Sequence, residues 1–474
     1  MKKKFSLLSI KNRFFSKALS ESFSDFFSAV FFVPEKSSIS HPFNPNKGIE
    51  ADCNAIRQHI PQLLVGGLIL IFIIFSSTFF ISCKKEKNML DKDETFSLEE
   101  KISVEERISV EESISVEERE VDKIRELAKE YVSNLSLEER ISQLFMENLE
   151  GNSTFRTFET LGKINGSNDS TPLIAGGYIF FSYNIAETSD LMKDFINSIR
   201  LYCRKNSLIQ PYLAVDVEGG DVNRLRKITS PLPSNLKVSK NYSLGQAFEL
   251  YRNEAREMKE LGFNMNLAPV AEILTEDNSS FIQERSFGDS YTVLNYASVC
   301  IKAYENESIA TVLKHFPGNS NIDPHTSLPE INLSYEELEK SLVAFKRLIR
   351  KNPTAVLMSH ARACAIDSSN PACLSKKWVT DILRKELGYE GLIISDDIFM
   401  AALEQNGYPP ELAVVMALEA GVDCIMTSEK RFASHAAVLY EKCLIDEDFE
   451  KLVYNAACRV IFYKMKAGIL ENTL

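Results

Sequence analysis

The sequence predicts a (β/α)8 barrel, a single TIM-type α/β domain over residues 122–474. Two patterns predict it. Eight short apolar runs alternate with helix-length segments: Leu144–Met146, Ile174–Phe181, Tyr212–Val217, Phe263–Val270, Ile309–Phe316, Ala355–His360, Leu392–Asp397 and Cys424–Thr427. Alternating strands and helices imply a parallel sheet. Four of the runs also end on ionisable groups: Asp216 with Glu218, Lys314 with His315, His360, and Asp396 with Asp397. In a parallel barrel all four ends meet at one mouth, where the βα loops build active sites.

At 474 residues, with 45% hydrophobic and 25% charged residues, the composition is globular. The net charge of −12 argues against a nucleic-acid partner. Much of that charge is local, because residues 97–120 hold nine Glu against one Lys and two Arg. The nine cysteines form no CxxC pair, so neither a zinc knuckle nor a redox motif is expected, and no metal or cofactor is implied. Apart from Cys83 they read as small buried hydrophobes.

Taken in order, residues 1–62 show no sustained period and read as an unstructured extension or as the product of a start assigned too far upstream. Residues 63–83 follow as a hydrophobic signal or anchor. Leu63 to Ile81 is a 19-residue run without a charge, long enough to span a bilayer as a helix. Phe80-Ile81-Ser82-Cys83 resembles a relaxed bacterial lipobox, whose cysteine would be lipidated. A lipoprotein and a plain membrane anchor both stay open; each tethers the rest of the chain to a membrane, and the first places it outside the cytoplasm. Residues 84–121 read as an acidic repeat linker: SLEEKI, SVEERI, SVEESI and SVEERE repeat every six residues. That period fits neither a heptad nor a clean helical stripe, so a solvated tether is expected.

From Val121 to Leu144 the pattern is helical, and Ser136-Leu137-Glu138-Glu139 carries a capping box. The stretch Lys314-His315-Phe316-Pro317-Gly318 then stands out. The apolar run Ile309–Leu313 stops on a cation and an imidazole, a Pro-Gly turn follows, and the next loop places Asp323 two residues before His325.

This stretch resembles the signature of family 3 glycoside hydrolases, in particular the single-domain β-N-acetylhexosaminidases. Other segments resemble the family in the expected order. Asp216-Val217-Glu218-Gly219-Gly220-Asp221-Val222-Asn223-Arg224 is similar to its DxEGGxVxR segment, and Gly262 through Val270 to the strand after it. Arg285-Ser286-Phe287-Gly288 is similar to its RSFG turn, and Leu383 through Asp397 to its nucleophile segment. The resemblance implies that Asp396 is the nucleophile and Asp397 structural. It implies an acid/base dyad on a mobile loop, His325 oriented by Asp323. Asp216, Arg224, Arg285, Lys314 and His315 match positions that hold the sugar's hydroxyls, and His360 lines the site. Two-domain relatives draw their acid/base from a second domain. Only 78 residues follow Asp396 here, too few for another α/β domain, so the dyad is expected from within the barrel.

The expected activity is retaining hydrolysis of terminal β-linked N-acetylglucosamine, plausibly in muropeptides. Two departures from the family keep alternatives open. Asn319-Ser320-Asn321-Ile322 is shorter than the family's loop before the dyad, and Pro324 stands where the family has Ser; proline also restricts Asp323 before it. A β-glucosidase or β-xylosidase, a phosphorolytic enzyme and a sugar-binding lipoprotein without catalysis are the alternatives.

Overall fold

The computed structural model describes residues 104–471. The expected extension, hydrophobic anchor, lipidation site at Cys83 and first part of the acidic linker lie outside the described residues. Among the described residues no helix is long and apolar enough to cross a membrane. Helix α1 (Val104–Ser133) runs through the last of the six-residue repeats, where the period had suggested only a solvated tether. Local preference explains the difference, because the repeats are dense in Glu and Arg, which favour helix without a buried stripe. The compact unit begins at Ile124. In it, α2 (Leu137–Ser142) starts at the expected capping box: Ser136 Oγ accepts from Glu139 N, and Glu139 Oε2 accepts from Ser136 N at 2.8 Å.

Eight parallel strands follow: β1 (Phe145–Asn148), β2 (Gly177–Phe180), β3 (Tyr212–Val215), β4 (Met265–Asn266), β5 (Ala310–Phe316), β6 (Ala355–Met358), β7 (Leu392–Ile394) and β8 (Ile425–Thr427). Each lies within or overlaps one of the eight apolar runs. Each pairs with its sequence neighbour, and β1 also pairs with β8. A parallel bridge between Ile394 and Cys424, with Ser395 N donating to Cys424 O at 2.9 Å, joins β7 to β8 and closes the ring. Below this seam the buried carboxylate of Asp423 accepts from Ile393 N and pairs with Arg384 and Arg459.

The outer helices follow from amphipathic spacing. In α3 (Ser189–Lys205), Met192, Phe195, Ile196, Ile199 and Cys203 are buried, one stripe of a 3.6-residue period. Phe195 meets Phe180 of β2, and Phe180 meets Phe263 edge-on at 5.0 Å. Helix α4 (Leu244–Leu261) ends at Gly262, whose φ is +102°; a Cβ there would come within 2.7 Å of Ile196 Cγ2, so glycine answers both the left-handed turn and the close approach. Among the described cysteines all seven are free; five are buried, whereas Cys364 and Cys458 are only half-buried.

The two ends of the barrel differ. At the N-terminal ends of the strands, the last helix α5 (Glu447–Lys466) sends the fully buried Lys464 to Gln143 Oε1, at 2.7 Å, and over the ring of Tyr212. The C-terminal ends carry the ionisable groups.

Candidate active site

Asp216 is the first residue past β3. The chain then folds back as a small antiparallel hairpin, Val217–Gly219 against Val222–Asn223. Its turn is Gly220-Asp221; Gly219 and Gly220 are both at positive φ, and a Cβ on Gly219 would run into the Pro233 carbonyl. The hairpin sets two carboxylates, Asp216 and Glu218, at the barrel mouth. From β5, Lys314 Nζ reaches both, at 2.7 Å from Asp216 Oδ1 and 2.7 Å from Glu218 Oε1. From the loop after β4, Arg285 holds Glu218 bidentately, at 2.8 and 2.9 Å. Arg224, just past the hairpin, keeps its Nε a loose 3.9 Å from Asp216 Oδ2, and that nitrogen has no hydrogen-bond partner.

The charges in this wall settle one another. Burial alone would push the Glu218 carboxyl up, but Arg285 and Lys314 hold it well below the usual carboxylate range. Burial would likewise lower the Lys314 ammonium, yet Asp216 and Glu218 raise it above an ordinary lysine. The Arg285 guanidinium also moves up: burial opposes this, and Glu218 outweighs it. Beside them His315 points Nδ1 at Glu272 Oε1, 2.8 Å away, while its Nε2 lies 3.5 Å from Arg285 Nη2.

On the other side of the mouth Asp396 follows β7. Its Oδ1 accepts from Asp397 N at 2.9 Å. Burial would raise this carboxyl, but His360, the hydrogen bond from Asp397 N and Lys314 draw it below the ordinary aspartate value, so it is an anion at neutral pH. Asp397 serves the fold: one oxygen accepts from Phe399 N at 3.0 Å and Ser428 N at 2.9 Å, and burial raises its carboxyl. His360 is fully buried, with Nε2 on the Asp397 carbonyl at 2.8 Å and Nδ1 3.2 Å from Cys373 Sγ.

The loop after β5 carries the remaining pair. His325 Nδ1 lies 2.7 Å from Asp323 Oδ1, and the same oxygen accepts from His325 N at 2.9 Å. The two side chains are 72% and 50% exposed, so this pair stands in solvent while the wall is buried. Pro324 between them is buried. The Asp323 carboxyl is lowered: its slight burial works against this and is outweighed by the hydrogen bonds from His325, with Arg285 adding to them, so the loop is within electrostatic reach of the wall. A cavity of about 280 Å³ lies against the first half of the loop, lined by Glu272, Pro317, Asn319, Ser320, Ile331 and Phe345 among others. None of the residues expected to attack, to transfer a proton or to hold the sugar lines it.

The structure therefore gathers Asp216, Arg224, Arg285, Lys314 and His315 into one wall, sets Asp396 within reach of Lys314 and His315, and holds Asp323 with His325 on the loop. Sequence reasoning placed Glu218 at a strand end without giving it a role, and it missed Glu272. Glu218 stood inside the Asp216–Arg224 segment, so its signal was present; Glu272 lies two residues past an apolar run and carried none.

A family model described as the glycosyl hydrolase family 3 N terminal domain matches residues 136–461. A beta-hexosaminidase of Tolumonas auensis is 33% identical over 271 residues, covering 56% of this chain and 78% of that protein. Beta-hexosaminidase A of Pseudoalteromonas piscicida is 26% identical over 322 residues, which cover 61% of this chain and 53% of it; the chain thus spans about half the length of that relative. The solved family 3 beta-N-acetylglucosaminidase of Paenibacillus sp. str. FPU-7 superposes with a TM-score of 0.62 at 26% identity, covering 71% of this chain and 63% of that one. With its barrel matched almost from end to end, the chain belongs to glycosyl hydrolase family 3.

Proposed function

We propose that the protein is a retaining β-N-acetylhexosaminidase that hydrolyses terminal β-linked N-acetylglucosamine. The observation that carries this is that one barrel supplies both an ionised carboxylate, Asp396, and an imidazole already bonded to a carboxylate, Asp323–His325 at 2.7 Å. The names of the relatives support the substrate class.

In this reading the buried wall holds the terminal sugar. Arg224 and Lys314 donate to its hydroxyls and Asp216 accepts. Asp396 attacks the anomeric carbon as His325 protonates the departing oxygen, giving a covalent glycosyl-enzyme. The imidazole then takes a proton from water, which displaces Asp396. Asp323 fixes the ring and stabilises its charged form. Retention of configuration follows from the two displacements.

The test is release of aryl alcohol by the full chain from matched β-N-acetylglucosaminide and β-glucoside, with Asp396→Ala alongside. Turnover of the acetamido sugar that vanishes in the variant supports the reading. Turnover of the glucoside alone transfers the protein to a β-glucosidase, and sugar binding without turnover makes it a binding protein.

Two finer readings rest on the sequence. Muropeptides are the proposed natural substrates, checked by release of N-acetylglucosamine from purified cell-wall fragments. The run from Leu63 to Ile81 and Cys83 are proposed to tether the enzyme to a membrane outside the cytoplasm. Fractionation and mass spectrometry of the chain and its Cys83→Ala variant check this; an unmodified Cys83 removes the lipoprotein form.

A further inference from the structure

We infer that Glu272 is a positioning residue: its carboxylate sets the tautomer of His315 and pins the root of the loop that carries Asp323 and His325. This deepens the glycosidase reading and rests on it for its kinetic consequence.

Glu272 is 2% exposed, and its neighbour Ala271 donates its N–H to the Lys314 carbonyl, so the residue is fixed beside β5. Four donors converge on the carboxylate, all from residues 315 and 319. Oε1 takes His315 Nδ1 at 2.8 Å, His315 N at 3.4 Å and Asn319 Nδ2 at 3.0 Å; Oε2 takes Asn319 N at 2.7 Å. Oε1 already accepts from two groups that only donate, His315 N and Asn319 Nδ2, so the ring proton lies on Nδ1. On the far side of the ring Nε2 faces Arg285 Nη2, and a guanidinium only donates, so that nitrogen presents its lone pair. Both neighbours select the same tautomer, which leaves His315 an acceptor towards the site.

The second arm holds the loop. Ser320, Asn321 and Ile322 border the cavity of about 280 Å³, so packing does not fix this stretch from that side. Polar tethers do: Asn319 to Glu272, and Asn321 to Ser280 Oγ and the Glu276 carbonyl. Asp323 follows four residues after Asn319. A glutamine at 272 offers one acceptor oxygen instead of two, so its amide N–H2 must face a donor, either Asn319 N or His315 Nδ1.

The test uses the full chain with ¹⁵N-labelled histidine and two β-N-acetylglucosaminides. One has a 2,4-dinitrophenolate leaving group, which needs no proton; the other is a methyl glycoside, which does. Wild-type His315 should show the Nδ1–H tautomer. Glu272→Gln should lower kcat on the methyl glycoside by about 10²-fold, against less than about tenfold on the activated one, and should disturb the His315 signal where its amide N–H2 faces Nδ1. Asn319→Ala removes the Nδ2 bond and keeps the backbone N–H on Oε2, so it weakens the loop arm alone and should reproduce part of the leaving-group-dependent loss with the His315 signal unchanged. That variant carries the test if Glu272→Gln does not fold. Equal losses on both substrates, with the wild-type tautomer kept in Glu272→Gln, would overturn the inference. Absence of wild-type turnover would sink the glycosidase reading instead, and the histidine spectra would still decide whether Glu272 sets the tautomer.

Discussion

Two lysines are buried at opposite ends of this barrel, and their ammonium groups move in opposite directions. Lys314, 3% exposed at the mouth, touches two carboxylates and is raised above an ordinary lysine against the pull of burial. Lys464, 0% exposed at the floor, touches one amide oxygen and is lowered by burial to about 7. Burial is common to both, so the partners decide. The mouth keeps charge in a dry place by pairing Lys314 and Arg285 with Asp216 and Glu218. Among the described residues no carboxylate pairs with the floor's lysine, which loses its charge near neutral pH. An enzyme that must hold sugar hydroxyls needs the first arrangement, in which strong donors and acceptors are fixed before substrate arrives.

The sharpest test of the mouth is Asp396→Ala. Removing the proposed nucleophile should cut kcat by roughly 10⁴-fold or more, with little change in the denaturation midpoint. Retention of a tenth of the activity would place the attacking group elsewhere. Next comes Lys314→Met, which leaves Asp216 and Glu218 partly unbalanced in a buried site. It should cost about 3–5 kcal/mol in denaturant unfolding, and sugar binding with it. A loss below about 1 kcal/mol would mean that water and Arg285 balance the wall without Lys314. His325→Ala should behave in the opposite way. Its side chain is exposed, so stability should stay within about 0.5 kcal/mol. Turnover of substrates with poor leaving groups should fall by about 10²–10³-fold.

How much of this was legible follows the same division. The strand ends announced themselves because an apolar run that stops on Lys314-His315, or on Asp396-Asp397, is unusual in a chain that otherwise buries its strands. Asp323 and His325 were visible as a motif. What the sequence hid was which side chains face each other. Asp216 and Glu218 alternate along one hairpin, yet Glu218, not Asp216, takes the bidentate arginine. Glu272 lies 43 residues from His315 and had no pattern to mark it. Gln143 and Lys464 are 321 residues apart, brought together only when the last helix closes the floor. The acidic repeats hid their helix for another reason: their period argued against a buried stripe, whereas the helix from Val104 needs only local preference.

The smallest of these effects is at the floor, and it has a sign. Unfolded, Lys464 titrates near an ordinary lysine value; folded, it titrates at about 7. Between these values the unfolded chain holds a proton that the folded chain has released, so stability rises with pH through this window. Below pH 7 both states are protonated, and the folded one carries an ammonium in a dry site with only Gln143 to accept from it. Lys464→Met removes that penalty and fits an unbranched apolar chain over Tyr212. It should stabilise the protein by about 1–4 kcal/mol at or below pH 7. The advantage should shrink as pH rises towards 10, by at most about 1.4 kcal/mol per unit. Urea unfolding of both chains at pH 6, 8 and 10 measures it. A constant difference across the three would mean that Lys464 stays charged throughout, held by a partner or a water that Gln143 alone does not account for, and the contrast between the two lysines would then lie in geometry and not in charge.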